Sequence, residues 1–216
     1  MSPRTVDAVI FDLGGVIMRN GGPGDFTRRY PNHDPKLIAE IVMGPHHLDT
    51  DHQWHRVERG EITLAECRAL TKERLDAEGI VATVPLEAPP TSGGPAFTFQ
   101  LNDDMVTLID DLKSAGIPIG ILTNNVKEFR EWWWPLMDFE SVFDTIVDSH
   151  EVGMRKPNPA IYHLTMERIG ATPSRTAFLD DLEANVHAAN AIGMHGIHVT
   201  GDSLGAIATA RQLAGL

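Results

Sequence analysis

Five short apolar runs recur along the chain, separated by stretches whose hydrophobic period is that of a helix. VDAVIFDL (6–13), IPIGILT (117–123), DTIVDS (144–149), TAFLDD (176–181) and GIHVT (196–200) have the length and near-continuous hydrophobicity of strands buried on both faces. Between them, NDDMVTLIDDLKSAG sets Met105, Leu108, Ile109 and Leu112 on one helical face, with Asn102 as a candidate N-cap and Gly116 as the stop. NPAIYHLTMERIG repeats that design from Asn158 and Pro159 to Gly170. Strand alternating with helix predicts an α/β fold with a parallel sheet covered on both faces, in which ligands collect beyond the carboxyl ends of the strands.

One interval breaks the alternation. From the first strand to the helix at 102, about 85 residues pass without a convincing buried strand, which predicts an inserted helical unit. The expected division is a core of residues 1–17 and 96–216 and an insert of 18–95. Within the insert, Asp34 and Pro35 mark one helix start, and Thr63 with Glu66 has capping-box spacing at another. PLEAPPTSGGP (85–95), with four prolines and two glycines, reads as the return linker.

Composition narrows the function classes. The 216 residues suit one domain carrying an insertion, and 42% hydrophobic with 22% charged residues is ordinary for a globular protein. No apolar run approaches transmembrane length, and Asp7 and Asp12 interrupt any signal-peptide pattern, so a cytoplasmic location with no membrane partner is expected. Cys67 stands alone, which excludes an intrachain disulfide and a thiolate zinc cluster. A net charge of -12 disfavours nucleic acid as a partner. An anionic substrate would therefore need a few basic residues or a bound metal to concentrate positive charge locally.

The strand ends supply candidates. Asp12 ends an apolar strand, where an acid either caps the next element or serves chemistry. LTNN (122–125) offers the Thr123 hydroxyl, Asn124, and amides at an expected helix start, a suitable grip on a phosphate oxygen. MRKPNPAIY (154–162) sets Arg155 and Lys156 before a proline turn. In FLDDLEAN (178–185), Asp180 and Asp181 are adjacent acids, whose mutual repulsion is most simply relieved by a hard divalent cation, and Asn185 lies one turn beyond.

In this order and on these elements, the four motifs resemble those of the haloacid dehalogenase (HAD)-like hydrolase superfamily. WHRVERGEIT (54–63) is similar to the helical cap of the subgroup containing sugar-phosphate phosphatases and the phosphatase domain of soluble epoxide hydrolase. The resemblance implies a Rossmann-like, doubly wound core with an α-helical cap, and Mg2+-dependent hydrolysis of a small phosphorylated metabolite through an aspartyl phosphate. It implies Asp12 as nucleophile; Asp12, the Gly14 backbone carbonyl, Asp181 and Asp180 around the metal; Lys156 as charge balance; and Thr123, Asn124 and Lys156 on the phosphoryl group. Asn124 and Asn185 are candidates to fix geometry, and monomer or homodimer is left open.

The chain departs from the family pattern at Gly14, where most phosphatases of this superfamily carry a second aspartate as general acid-base. A backbone carbonyl survives the change, but acid catalysis by that side chain is lost, typically worth about a hundredfold to ten-thousandfold. Three explanations stand: a leaving group needing little protonation (a sugar 1-phosphate, acyl or aryl phosphate); a surrogate acid among His46, His47, Asp49, Asp51, His52, His55 and Glu58; or a non-hydrolytic phosphometabolite-binding protein. A 2-haloacid dehalogenase leaves Asp180 and Asp181 as unexplained charge. His46, His47, His52 and His55 lack a persuasive third ligand for a transition metal and are read as solvated or substrate-facing. Trp132, Trp133 and Trp134 cannot share one helical face and are expected to cover the sheet edge or pack under the cap.

Overall fold

The computed structural model describes residues 4–19, 29–83 and 99–216. The expected return linker lies outside the described residues. Five strands form one parallel sheet: β1 (Ala8–Phe11), β4 (Ile119–Thr123), β5 (Thr145–Asp148), β6 (Thr176–Asp180) and β7 (His195–His198), in the order β5-β4-β1-β6-β7. A second, antiparallel pair, β2 (Met18–Arg19) with β3 (Gln100–Leu101), was not anticipated; two residues are too short for a period to register. It joins the chain where it leaves and re-enters the sheet.

Alternation along each strand divides the core. Val9, Phe11, Ile119, Ile121, Ala177 and Leu179 pack on one face with Met105, Leu108, Ile109 and Leu112 of α4 (Asp103–Ser114) and with Ala206, Ile207 and Ala210 of α7 (Leu204–Ala214). Ile10, Leu122, Val147 and Phe178 turn to the other face, against Ile161, Tyr162 and Met166 of α5 (Pro159–Ile169) and Ala189 of α6 (Glu183–Ala191). Burial on both faces explains why these strands read as continuous apolar runs.

Among the described residues between β2 and β3 stand α1 (Pro35–Met43), α2 (Gln53–Glu58) and α3 (Leu64–Ala77). Their starts follow the local chemistry. Asp34 accepts from the Lys36 amide, and Thr63 and Glu66 form a reciprocal capping box, a device worth about 1 kcal/mol. Tyr30, Ile38, Leu75 and Ile80 make a small cluster of their own, while Val57, Leu64 and Cys67 meet Val126 of the sheet layer. Burial pushes the Cys67 thiol up to about 11, so it is inert.

Two local expectations are corrected. Asn102 stands at the N-cap of α4 but makes no capping bond; its amide instead donates to Val16 O (3.4 Å) and Ser203 Oγ (3.0 Å), tying three loops together. No α-helix starts directly after Thr123. The Asn125 amide donates to Ser149 Oγ (2.9 Å) and the Val126 amide to Asn125 Oδ1 (2.8 Å), and a 3-10 turn begins only at Lys127.

Trp133 is buried beside Phe139, with ring centroids 5.1 Å apart, and Trp134 stacks on Phe139 at 5.6 Å. Trp132 lies 5.1 Å from Phe129, which faces Trp54 of α2 at 6.5 Å. The tryptophan run thus divides between the sheet layer and the seam with the inserted helices. No described helix is long and apolar enough to cross a membrane.

Candidate active site

The order β5-β4-β1-β6-β7 reverses direction at β1, so the crevice at the carboxyl end of β1 is the topological switch point where α/β sheets bind ligands. Asp12 is the first residue past that strand. Phe11 pairs with Ile121 on one side and Leu179 on the other, and continuing those registers sets Asp12 level with Leu122 and Asp180. Thr123 and Asp180, the last residues of β4 and β6, are therefore delivered to the same edge, both buried.

Lys156, although far along the chain and fully buried, reaches into this edge. Its ammonium lies 2.9 Å from Asp12 Oδ1 and donates to Asp180 Oδ2 at 2.6 Å. Asp12 Oδ1 also accepts from the Leu13 amide (2.7 Å). Asp180 Oδ1 accepts from the Leu182 amide (2.8 Å), and Asn185 Nδ2 donates to both Asp180 oxygens at 3.0 and 3.1 Å. Asn185 is held in turn by Tyr162, whose hydroxyl donates to its carbonyl (3.0 Å).

Asn124 does something more definite than a phosphate contact by its side chain. Its Oδ1 accepts from the Lys156 amide (2.8 Å) and its Nδ2 donates to the Lys156 carbonyl (3.0 Å), so both polar ends grip the lysine backbone. With the Asn125 and Val126 amides also engaged, the groups left to face a phosphate from this loop are the Thr123 hydroxyl and the Asn124 peptide.

The electrostatics of the cluster are strongly coupled. Burial pushes the Asp12 carboxyl up; Lys156 opposes this, Asp180 and Asp181 reinforce it, and the result is about 8. Burial alone would lower Lys156, but the Asp12 and Asp180 carboxylates outweigh it and hold the ammonium above the usual lysine range. One ammonium between two buried carboxylates does not neutralise both.

Asp12, Asp180 and Asp181 each offer a carboxylate oxygen within 4.8 Å of the others. This all-oxygen donor set fits a hard divalent cation, which would replace the proton that burial otherwise favours on Asp12. Gly14 lies in the tight turn after Asp12, bridged to Met18, and it is Gly15 (φ 73°) that takes the left-handed conformation.

Most of the acid-base candidates in the inserted helices have other tasks. His52 Nδ1 accepts from the Trp54 amide (3.2 Å) as the N-cap of α2, and His55 Nδ1 faces the Thr50 amide and hydroxyl at 3.1 and 3.0 Å. Burial drops His55 to about 3, so its imidazole is neutral. Asp49 pairs with Arg59, and Glu58 with Arg155. His46, His47 and Asp51 remain: Asp51 is exposed, whereas His46 and His47, with Gly44 and Pro45, line a cavity of about 300 Å³ bounded on its other side by Leu182, Glu183 and Ala184, directly after the acidic pair.

Sequence reasoning placed Arg155 only beside Lys156. In the fold it is buried, donating to Glu58 Oε2 (2.7 Å) and to the Leu48 carbonyl (2.7 Å) of the inserted helical region. A pairing across 97 residues leaves no local signal in the chain.

Residues 6–193 match the haloacid dehalogenase-like hydrolase family, and the chain belongs to it. It is a hydrolase of that family with phosphatases among its relatives. It is 31% identical over 218 residues to sesquiterpene phosphatase astK of Aspergillus oryzae, covering 98% of both chains. It is 31% identical over 193 residues to rat bifunctional epoxide hydrolase 2, with 85% of this chain matched to 34% of that protein. Against mouse acyl-CoA dehydrogenase family member 10 the identity is 29% over 208 residues, 91% of this chain but only 18% of that protein. The fold is shared with a HAD-like hydrolase of Porphyromonas gingivalis (TM-score 0.63, 20% identity, 95% of this chain and 98% of that one). It is shared too with a HAD-family enzyme of Bacteroides thetaiotaomicron solved with magnesium and inorganic phosphate (TM-score 0.57, 22% identity, 90% and 94%).

Proposed function

We propose that the protein is a Mg2+-dependent phosphohydrolase acting on a small phosphate monoester. The observation that carries this reading is the buried chain Asp12–Lys156–Asp180, with Asp181 in reach, at the switch point of the sheet. Residues 1–17 and 96–216 are the catalytic core, and 18–95 the helical cap.

Asp12 Oδ1 is held by the Leu13 amide and Lys156, which leaves Oδ2 to attack phosphorus. The P–O bond to the leaving group breaks as the O–P bond to Asp12 forms, giving an aspartyl phosphate. Water then attacks that phosphorus, releasing inorganic phosphate and restoring the carboxylate. Lys156 balances charge on Asp12 and the transferring group; Thr123 and the Asn124 peptide hold phosphoryl oxygens. Asn185 and Leu182 fix Asp180, and Asn124 fixes Lys156 through its backbone. Asp12, Asp180, Asp181 and the Gly14 carbonyl would hold Mg2+, which would supply neutralisation of negative charge at the site.

Gly14 sets the substrate range. Without a carboxylic acid there, leaving groups that depart with little protonation are favoured: sugar 1-phosphates, acyl phosphates and aryl phosphates. For other esters, His46 and His47 are the insert's candidate donors that line the cavity next to the acidic pair.

Phosphate release from a broad ester panel, with Mg2+ and with EDTA, tests the reading. Release that EDTA abolishes is expected. No release from any ester, with tight binding of a phosphometabolite by calorimetry, would leave the non-hydrolytic reading that Gly14 also allows; halide release from a 2-haloacid would replace both.

A further inference from the structure

We propose that Arg155 is a positioning residue that couples the seating of the inserted helices to the placement of Lys156. The proposal rests on the phosphohydrolase reading for its consequence in turnover, and on geometry alone for the coupling itself.

Arg155 precedes Lys156 in the chain but points the other way. The Lys156 side chain enters the acidic cluster, whereas the Arg155 guanidinium, 3% exposed, enters the insert. There it meets Glu58 Oε2 at 2.7 Å, the Leu48 carbonyl at 2.7 Å and, more distantly, Asp49 Oδ1 at 4.0 Å. Glu58 is fixed from behind by the Trp54 indole, which donates to its other oxygen at 3.0 Å.

Neighbouring backbone is tied down from the sheet side. Asn124 clamps the Lys156 amide and carbonyl, and the Asn158 amide donates to the Arg155 carbonyl (3.0 Å). Residues 155 and 156 thus form a two-ended link between the loop after β4 and the insert, and the side chains of Arg155, Lys156 and Glu58 are all buried.

The ion pair is not explained by stability. Removing Arg155 and Glu58 from water is expensive, and a buried pair of this kind is often no more stabilising than apolar residues of similar volume. Burial raises the Glu58 carboxyl, while Arg155 and the Trp54 hydrogen bond oppose that rise. What the pair provides is direction. A planar fork with several donors fixes orientation as well as distance, and a misplacement of about 1 Å in a catalytic group can reduce a rate on the order of a hundredfold.

The test compares Arg155→Met, Arg155→Lys and the double variant Glu58→Gln/Arg155→Met. The single Met variant leaves Glu58 buried and uncompensated and can fail to fold; the double variant removes both charges and keeps the volume. Turnover of 4-nitrophenyl phosphate with Mg2+ is measured beside the melting temperature, and amide exchange is followed at Lys156 and Asn158 without substrate.

The double variant is expected to melt near the wild type yet lose about tenfold or more in kcat, with KM within about threefold and Arg155→Lys intermediate. Its Lys156 and Asn158 amides should exchange at least about tenfold faster, while β1 and β6 amides are unchanged. Wild-type kcat and wild-type exchange in a stable double variant would overturn the proposal and leave Arg155 a packing role. A wild type that releases no phosphate would sink the phosphohydrolase reading alone, because the exchange measurement still decides the coupling.

Discussion

The sheet edge and the inserted helices use charged residues in opposite ways. At the edge, Asp12 and Asp180 concentrate like charge around the one ammonium of Lys156, and the buried Asp12 carboxyl is pushed up to about 8. In the insert, Asp49, His52, His55 and Glu58 are each given a structural partner: Arg59, the Trp54 amide, Thr50 and Arg155. The lesson is that a density of titratable residues does not locate a reactive site. What distinguishes the edge is that its charges are left for something else to complete.

The sharpest way to break this contrast is Lys156→Met. Turnover should fall by about a hundredfold or more, and stability should fall by about 3–5 kcal/mol, because two carboxylates are left buried together without a cation. Denaturant melts beside kinetics check both. A loss of stability no larger than that of an exposed lysine would mean the cluster is not charge-coupled.

Gly14→Asp addresses what the edge lacks. Gly14 is not in the left-handed region, so its backbone conformation is open to an L-residue. Turnover of alkyl phosphates should rise by about tenfold or more, while aryl phosphates, which need little protonation, change less. An equal change for both would show that protonation is not limiting and that Gly14 serves the turn instead.

A smaller effect concerns proton and metal competing for Asp12. Its folded pKa of about 8 lies above the usual carboxylate value, so in metal-free protein this group's contribution to stability falls as pH rises from about 4 to about 8. Mg2+ binds the ionised form, and its stabilisation should therefore be larger at about pH 8 than at about pH 6, by a few degrees in melting temperature. Asp12→Asn should remove that pH dependence. The same Mg2+ shift at both pH values in the wild type would argue that the metal does not compete with a proton on Asp12.

How much of this was readable from the chain follows from the range of each interaction. Helix starts at Asp34, Thr63 and Asn158 are set by neighbours within three residues, and all three held. The buried strands announced themselves because both faces are covered, and the acids at their ends because charge rarely closes an apolar run without a purpose. Asn124 gripping Lys156, and Arg155 reaching Glu58, span 32 and 97 residues and depend on where two segments meet. Neither the hydrophobic period nor turn chemistry carries that information. That His52 and His55 are neither solvated nor substrate-facing is illegible in the chain for a related reason: their spacing is the same whether they face a ligand or hold a helix start.

The most direct measurement is to mix the protein with Mg2+ and acetyl phosphate, quench in acid within the first turnovers, and map phosphoryl label by peptide mass. Label on Asp12 that vanishes in Asp12→Asn, together with loss of at least about a thousandfold in phosphate release, is the predicted result. Steady phosphate release with no label on Asp12, or undiminished release by Asp12→Asn, would contradict it.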